Sequence, residues 1–397
     1  MNILVINSGS SSIKFQLIKM PSKELICDGI IERIGQENAL LKYKMNTVTI
    51  QKTERLHTHK EGLKKIVEWL IDPEKGVIKD TNEIEVVGHR VVHGGNSFSN
   101  ITLINAEVKE EIQAYNALAP LHNPNNFEGI LIAEKLFPSA KQVAVFDTAF
   151  HQTILEKAKK YAIPKSFYKD QNIQVYGFHG TSHKYVSERA IEYLQLKKSK
   201  IISIHLGNGC SITAILDGKS IDHSLGFAPS NGLIMGSRSG DIDHSIIFYF
   251  VNNLGYSLDK VNTLLTKESG MLGLTGYSDL RDIQREAENG NPDCVLALEM
   301  NAYRIKKYIG AYIAAMNGLD AIIFTAGIGE NSSLIRKLVC AGMDFIGILL
   351  DKAKNEQKLN NIREINTATS EVKILVIPTN EELEIAKQAY DLLVKDQ

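Results

Sequence analysis

Two stretches about 200 residues apart share one pattern, and it limits what the chain can become. Residues 2–17 read NILVINSGSSSIKFQL, and residues 201–216 read IISIHLGNGCSITAIL. Each is an apolar run with strand character, then a turn of Gly, Ser or Asn, then a second alternating run. With one residue of slack, Ser12-Ile13 overlays Ser211-Ile212. Both read as β-hairpins with small residues at the tip, and the repeat points to two related halves facing one cleft. A tip of this kind suits phosphate. Backbone N–H groups gathered in a turn, small hydroxyls and a nearby cation such as Lys14 hold diffuse negative charge without steric bulk. The helix-capping alternative is absent, because no G-x-x-x-x-G-K-[ST] occurs.

At 397 residues the chain is long for one core, so two domains are expected. A formal net charge of −1 implies no polyanion-binding surface. No apolar run reaches membrane-spanning length, and no signal peptide is visible, so a cytoplasmic protein is expected, without nucleic-acid or membrane partners. Cys27, Cys210, Cys294 and Cys340 are scattered and form no C-x-x-C, which disfavours a metal or disulfide cluster.

Strand-like runs stand at 3–6, 85–89, 142–146, 201–205, 321–325 and 374–377. Helical periodicity covers 61–70, 106–118, 127–136, 185–196, 295–316 and 381–394. Strands alternating with amphipathic helices predict an α/β architecture. The domain boundary is expected just after Asp147, with the last helix returning to the first domain.

Several polar groups fall at strand ends and loops, where sites form. Arg90 sits in GHRVVHGG, His122 in PLHNPNN, and Asp147 at the end of an apolar strand. His179 precedes a helix whose N-cap is expected at Thr181 or Ser182, and anions are favoured near such an end. Arg238 lies in a Gly/Ser frame beside Asp241 and Asp243. Other roles stay open for each. Arg90 and Arg238 could be structural ion pairs, Asp147 a turn residue, and the two acids mere orienters of Arg238. His179 and His183 have the i, i+4 spacing of zinc ligands, but Gly180 stands where H-E-x-x-H needs Glu.

Taken together, NSGSSSIKF (7–15), GHRVVHGG (88–95), PLHNPNN (120–126), VFDTAFH (145–151), YGFHGTSH (176–183), HLGNG (205–209), MGSRSGDID (235–243), AGIGEN (326–331) and PTNEE (378–382) resemble the acetate kinase family. The nine motifs run in order along nearly the whole chain. Propionate kinases share almost all of them, whereas butyrate kinases are shorter with a different opening loop.

The resemblance implies a duplicated two-domain actin-like ATPase fold with ribonuclease H-like cores and an interdomain active-site cleft. Residues 1–148 with 382–397 would form the first domain, and residues 149–381 the second, which carries the nucleotide and dimerisation surfaces. It implies reversible Mg²⁺-dependent transfer from ATP to acetate (Mn²⁺ could substitute) in a homodimer. The alternatives are a propionate kinase or a non-kinase ATP-gated binding protein of the same fold group. By the same resemblance, Asn7 and Glu381 hold the metal, while Lys14, Ser10 and Ser12 meet the ATP phosphates. His205, Leu206, Gly207, Asn208 and Gly209 form the second phosphate loop. Asp279, Arg281, Gly327, Ile328, Gly329, Glu330 and Asn331 hold the adenosine end. Arg90 and His122 bind the substrate, with Val92, Leu121, Phe178 and Pro229 as the apolar wall around its methyl group. Asp147, His179 and Arg238 are the catalytic set. Acetate is already ionised near neutral pH, with a carboxyl pKa of roughly 4 to 5, so it needs no general base. Orientation of neighbouring groups is therefore the expected task of Asp147.

Overall fold

The computed structural model describes residues 1–45, 48–119, 122–359 and 361–395. The chain forms two compact units, residues 1–150 with 380–397 and residues 151–379.

Among the described residues the first unit carries an eight-stranded sheet. Its strands are β1 (Asn2–Ser8), β2 (Ser12–Lys19), β3 (Glu24–Glu32), β4 (Ala39–Met45), β5 (Val48–Glu54), β6 (Val86–Val91), β7 (Thr102–Leu103) and β8 (Lys141–Phe146), in the order β5-β4-β3-β2-β1-β6-β8-β7. The second unit carries β9 (Lys200–Leu206), β10 (Cys210–Leu216), β11 (Lys219–His223), β12 (Ala321–Thr325), β13 (Arg363–Glu364) and β14 (Lys373–Val376), in the order β11-β10-β9-β12-β14-β13.

The two sheets share a core pattern. In the first, β3, β2 and β1 pair antiparallel, then β1, β6 and β8 run parallel. In the second, β11, β10 and β9 pair antiparallel, then β9, β12 and β14 run parallel. The two hairpins seen in the sequence, β1–β2 and β9–β10, occupy the same place in their sheets. The expected duplicated α/β architecture is thus borne out.

Central strands are apolar on both faces, as helix-covered parallel strands must be. Ile3, Leu4, Val5 and Ile6 are all buried, as are Ile322, Ile323 and Phe324. Helices His59–Leu70 and Asn123–Leu136 cover one face of the first sheet through Leu63, Ile66, Leu70, Ile132 and Ala133. The helix Glu381–Lys395 covers the other, burying Ile385, Ala386, Ala389 and Leu393 against Ile3, Val5, Val86 and Val143. Gly88 permits that approach, since a Cβ there would fall 2.8 Å from Ile385 Cγ2. In the second unit, helices Gly180–Leu194 and Pro292–Met316 both pack on β9.

Local boundaries differ from the periodicity in instructive places. The helix expected from 127 starts at Asn123, with Pro124 in its first turn, where a missing N–H costs nothing. The one expected over 106–118 ends at Ala114 and continues as a 3₁₀ turn over Tyr115–Ala117. No described helix is long and apolar enough to cross a membrane.

Candidate active site

In the first unit, the carboxyl ends of three adjacent parallel strands carry the polar groups. β1 ends at Asn7-Ser8, β6 at Arg90-Val91, and β8 runs into Asp147, whose N–H bonds the Val91 carbonyl at 3.0 Å. Ligand sites of α/β sheets form at such ends. Arg90 donates to both oxygens of Asp147, Nε to Oδ1 at 3.0 Å and Nη2 to Oδ2 at 2.5 Å. Its Nη1 donates to Asn7 Oδ1 at 3.3 Å, and Glu381 Oε2 stands 3.7 Å from Nε. Asp147 is buried, and both its oxygens face one guanidinium, a planar fork that fixes direction as well as charge. Burial opposes the Arg90 charge, but Asp147 and Glu381 outweigh it and hold the pKa above the ordinary Arg value. Burial, with Asp147 and Glu382 adjacent, pushes the Glu381 carboxyl up to about 7, against the pull of Arg90 and Lys14.

Glu381 and Glu382 open their helix, where carboxylates complement the dipole. Buried Glu382 binds Lys14 Nζ at 2.9 Å, so the cation of the first hairpin is already oriented. Ser10 is exposed at the hairpin tip, with Ser12 half-buried beside it.

Two asparagines, Asn123 and Asn126, hold the loop after β6. Asn126 Oδ1 accepts from Val92 N–H at 3.0 Å, and its amide donates to the Ser8 carbonyl at 2.7 Å. Asn123 bonds both the N–H and C=O of His93 at 3.0 Å. Sequence reasoning missed both. The signal was their i, i+3 spacing in HNPNN, which puts them on one helical face. His122 is the N-cap of their helix, Val92 is buried, and Leu121 lies outside the described residues.

In the second unit, His179 is itself the N-cap of the helix Gly180–Leu194, which corrects the expected cap at Thr181 or Ser182. Its backbone is left-handed, with φ 56°, and its side chain makes no capping bond. The ring instead turns toward Ser211, Nδ1 to Oγ at 2.9 Å, and stacks on His205 with centroids 4.4 Å apart. Ser211 Oγ also lies 2.8 Å from His183 Nε2, while His183 Nδ1 is 2.8 Å from Ser203 Oγ. The i, i+4 pair is thus built into hydroxyl contacts rather than a metal site. Among the described residues no group of three or more His, Cys, Asp or Glu is placed to hold an ion.

Arg238 Nη1 donates to the Pro229 carbonyl at 2.7 Å, and burial lowers its pKa from the ordinary value. Asp241 serves other partners, accepting from Gly232 N–H and Tyr308 O–H at 2.7 Å, and Asp243 Oδ1 accepts from Ser245 N–H at 2.8 Å. A Cβ on Gly209 would stand 3.5 Å from His179 Nε2 and 3.8 Å from Arg238 Nη1. The bare turn therefore leaves open the space shared by imidazole and guanidinium.

Beside that turn lies a cavity of about 660 Å³ in the second unit. Leu206, Gly207, Asn208, Asp279, Arg281, Gly327, Ile328 and Asn331 line it, as eight of the expected nucleotide residues. Asp279 caps the helix Leu280–Glu288 and pairs with Arg281, whose hydrogen bonds lower its pKa to about 2. His205, Gly209, Gly329 and Glu330 are not among the lining residues, whereas Met235, Gly236, Asn301 and Ser332 are. Gly329 and Glu330 serve from behind. Their carbonyls accept from Arg336 Nη1 at 2.9 and 3.0 Å, and Glu330 Oε1 accepts from Thr379 N–H at 3.1 Å.

The family model of the acetokinase family matches residues 2–387. An acetate kinase of Flavobacterium johnsoniae is 62% identical over 99% of this chain and 100% of its own length. The crystal structure of Porphyromonas gingivalis acetate kinase superposes with a TM-score of 0.93 at 43% identity, covering 99% of both chains. A propionate kinase from Francisella tularensis gives 0.92 at 44% identity over 98% of both. A strand order repeated in two sheets, polar groups at the strand ends and likeness over the full length lead to one assignment: the chain belongs to the acetokinase family.

Proposed function

We propose that this chain transfers a phosphoryl group reversibly between ATP and acetate, giving ADP and acetyl phosphate. The observation that carries this reading is Arg90, a guanidinium at the strand ends held in plane by both oxygens of a buried carboxylate. Its remaining N–H directions suit a small carboxylate. The full-length likeness to an acetate kinase points the same way.

Acetate arrives ionised, so the residues must screen charge rather than remove a proton. Arg90 holds the carboxylate. Asp147, with both oxygens engaged by Arg90, orients that cation and is poorly placed to act as a base. In the second unit, Arg238 and His179 border the open space at Gly209 and meet the transferring oxygens. Positioning and charge stabilisation are the main tasks of a protein in phosphoryl transfer. In the second unit the cavity lined by Asn208, Asp279, Arg281 and Asn331 suits a nucleotide, and in the first Lys14, held by Glu382, suits phosphate.

Asn7 Oδ1 and the Glu381 carboxylate would hold Mg²⁺. Both are hard oxygen donors, and Mg²⁺ is commonly bound by one or two carboxylates together with substrate phosphates. Burial raises the Glu381 pKa, and the neighbouring Asp147 and Glu382 carboxylates add to it, a crowding of acids that an added cation would relieve. When bound, the ion would neutralise charge on the β- and γ-phosphates.

We assign a homodimer and a cytoplasmic setting to the same reading. Phe248, Tyr249, Leu258, Leu296 and Tyr303 in the second unit are more than half exposed, an apolar surface suited to a second copy. All four cysteines are free.

Propionate is the second candidate substrate, because the propionate kinase from Francisella tularensis superposes almost as well. One methylene in an apolar pocket shifts discrimination by only about 1–3 kcal/mol. Hydroxylamine trapping of acyl phosphate, with ATP, Mg²⁺ and parallel acetate, propionate and butyrate, decides the matter. Highest kcat/KM on acetate is expected. A propionate preference would change the substrate and keep the chemistry, while ATP binding without any acyl phosphate would leave only a nucleotide-gated binding protein.

Arg336 offers a separate check on the nucleotide cavity. It is fully buried, pairs with no carboxylate among the described residues, and burial lowers its pKa to about 10. Its bonds go to Asn355 and to the carbonyls of Gly329 and Glu330, behind the cavity wall. Arg336→Met should raise the ATP KM about tenfold, as buried carbonyls lose their donor. The acetate KM should stay within about twofold. Equal changes in both constants would show a general loss of structure instead.

A further inference from the structure

The turn that presents His179 is unusual in its backbone. Gly177 has φ 75° and His179 has φ 56°, so two residues of three are left-handed, and the second is not glycine. Non-glycine residues seldom stay there unless surrounding structure over-determines them. The residue between them, Phe178, is buried and gripped on both backbone groups. Its N–H donates to His223 Nε2 at 3.1 Å, and its carbonyl accepts from His151 Nε2 at 2.9 Å.

Those partners fix the protons. A backbone N–H can only donate, so His223 Nε2 is bare and its proton sits on Nδ1, facing Thr213 Oγ1 at 2.7 Å. A carbonyl can only accept, so His151 Nε2 carries the proton, and Nδ1 accepts from Ser220 Oγ at 2.8 Å. The two rings lie 4.1 Å apart at their centroids. Thr213 is the cross-strand partner of His223, and Ser220 lies on the same strand as His223. Gly177 completes the fit, because a Cβ there would fall 2.6 Å from His151 Cγ.

We propose that His151 and His223 are positioning residues for the transfer reaction: neutral and in opposite tautomers, they clamp the N–H and C=O of Phe178 and so fix the left-handed turn that aims the His179 ring. The proposal rests on the kinase reading for its consequence, though not for its geometry. Burial keeps both rings neutral at pH 7, lowering the pKa of His151 to about 4 and that of His223 well below the ordinary value. Phe178 belongs to the expected apolar wall, so the same clamp sets the wall and the phosphoryl-facing ring together.

Long-range ¹⁵N–¹H spectra of the full chain with ¹⁵N-histidine test the geometry directly. His223 should appear as the Nδ1–H tautomer and His151 as the Nε2–H tautomer. Matching tautomers, or a cationic form of either at pH 7, would overturn the clamp. The kinetic arm pairs His223→Gln with His223→Leu, and His151→Gln with His151→Leu. A Gln amide can replace either the bare or the protonated Nε2, and Leu can replace neither. The Leu variants should lose about 10- to 100-fold in kcat with the ATP KM within about twofold, as expected for a misaimed group. The Gln variants should recover most of that loss. Unchanged kcat in the Leu variants, or equal loss in Gln and Leu, would refute a positioning role. If the Leu variants do not fold, the wild-type spectra still decide the tautomers. A wild-type chain that forms no acyl phosphate fails the kinase reading without altering those spectra.

Discussion

Arg238→Ala is expected to lower kcat about 100- to 1,000-fold while moving the ATP KM only slightly. Arg238 is absent from the lining of the nucleotide cavity, and its Nη1 is anchored on the Pro229 carbonyl at 2.7 Å. It thus contributes little to ground-state nucleotide affinity and presents a fixed cation where charge shifts during transfer. Removing one preorganised donor of that kind costs about 10²–10³ in turnover. Arg238→Lys should recover little, because an ammonium cannot hold the Pro229 carbonyl and present a planar fork at once. Steady-state kinetics in both directions, with thermal midpoints to confirm folding, measure this. Near-normal kcat would remove Arg238 from the chemistry and leave it a structural anchor.

The second large effect concerns acid. His89, His93 and His151 have pKa values lowered to about 4, and those of His183 and His223 lie well below 6.5, burial being the main cause throughout. Below pH 6.5 the unfolded chain takes up these protons while the folded chain refuses them, so stability falls as pH drops from 6.5 toward 4. For His89, His93 and His151, a pKa of about 4 against the ordinary 6.5 corresponds to at most about 3 kcal/mol each. His151, His183 and His223 pack within one cluster, with centroids 4.1–5.9 Å apart, so charging one opposes charging the next. The thermal midpoint should fall by on the order of 10 °C or more between pH 7 and pH 4.5. His89→Gln, which cannot titrate, should show a shallower decline. A flat midpoint over that range would show that these rings accept protons in the folded state.

Much of the architecture was legible because its signals are local. Short runs rich in β-branched residues such as Ile3–Ile6, bounded by turn residues, read as buried strands, and the two Gly/Ser hairpins announced the duplication. Arg90 and Asp147 were legible as strand-end residues, since both follow apolar runs. Their mutual bond was not, because it joins β6 to the end of β8 across 57 residues. The cap at His179 was misread for a physical reason. Histidine is no usual capping residue, and the left-handed turn is enforced from His151 and His223, which are distant in sequence. Arg336 gave no signal, because its partners are carbonyls and an amide rather than an acid.

The helix Glu381–Lys395 has a consequence for biogenesis. It supplies Ile385, Ala386, Ala389 and Leu393 to a core whose other members lie before residue 146. The ribosome makes about 230 residues between Phe150 and Asn380, which at 5–20 residues per second takes about 10–50 s. Throughout that time the earlier-made half keeps one apolar sheet face uncovered, whereas the second unit draws all its strands from the uninterrupted segment 151–379. Maturation therefore runs against the direction of translation. The unit begun first is the last to be completed, and truncation just before residue 381 should harm it while leaving every strand of the second unit in place.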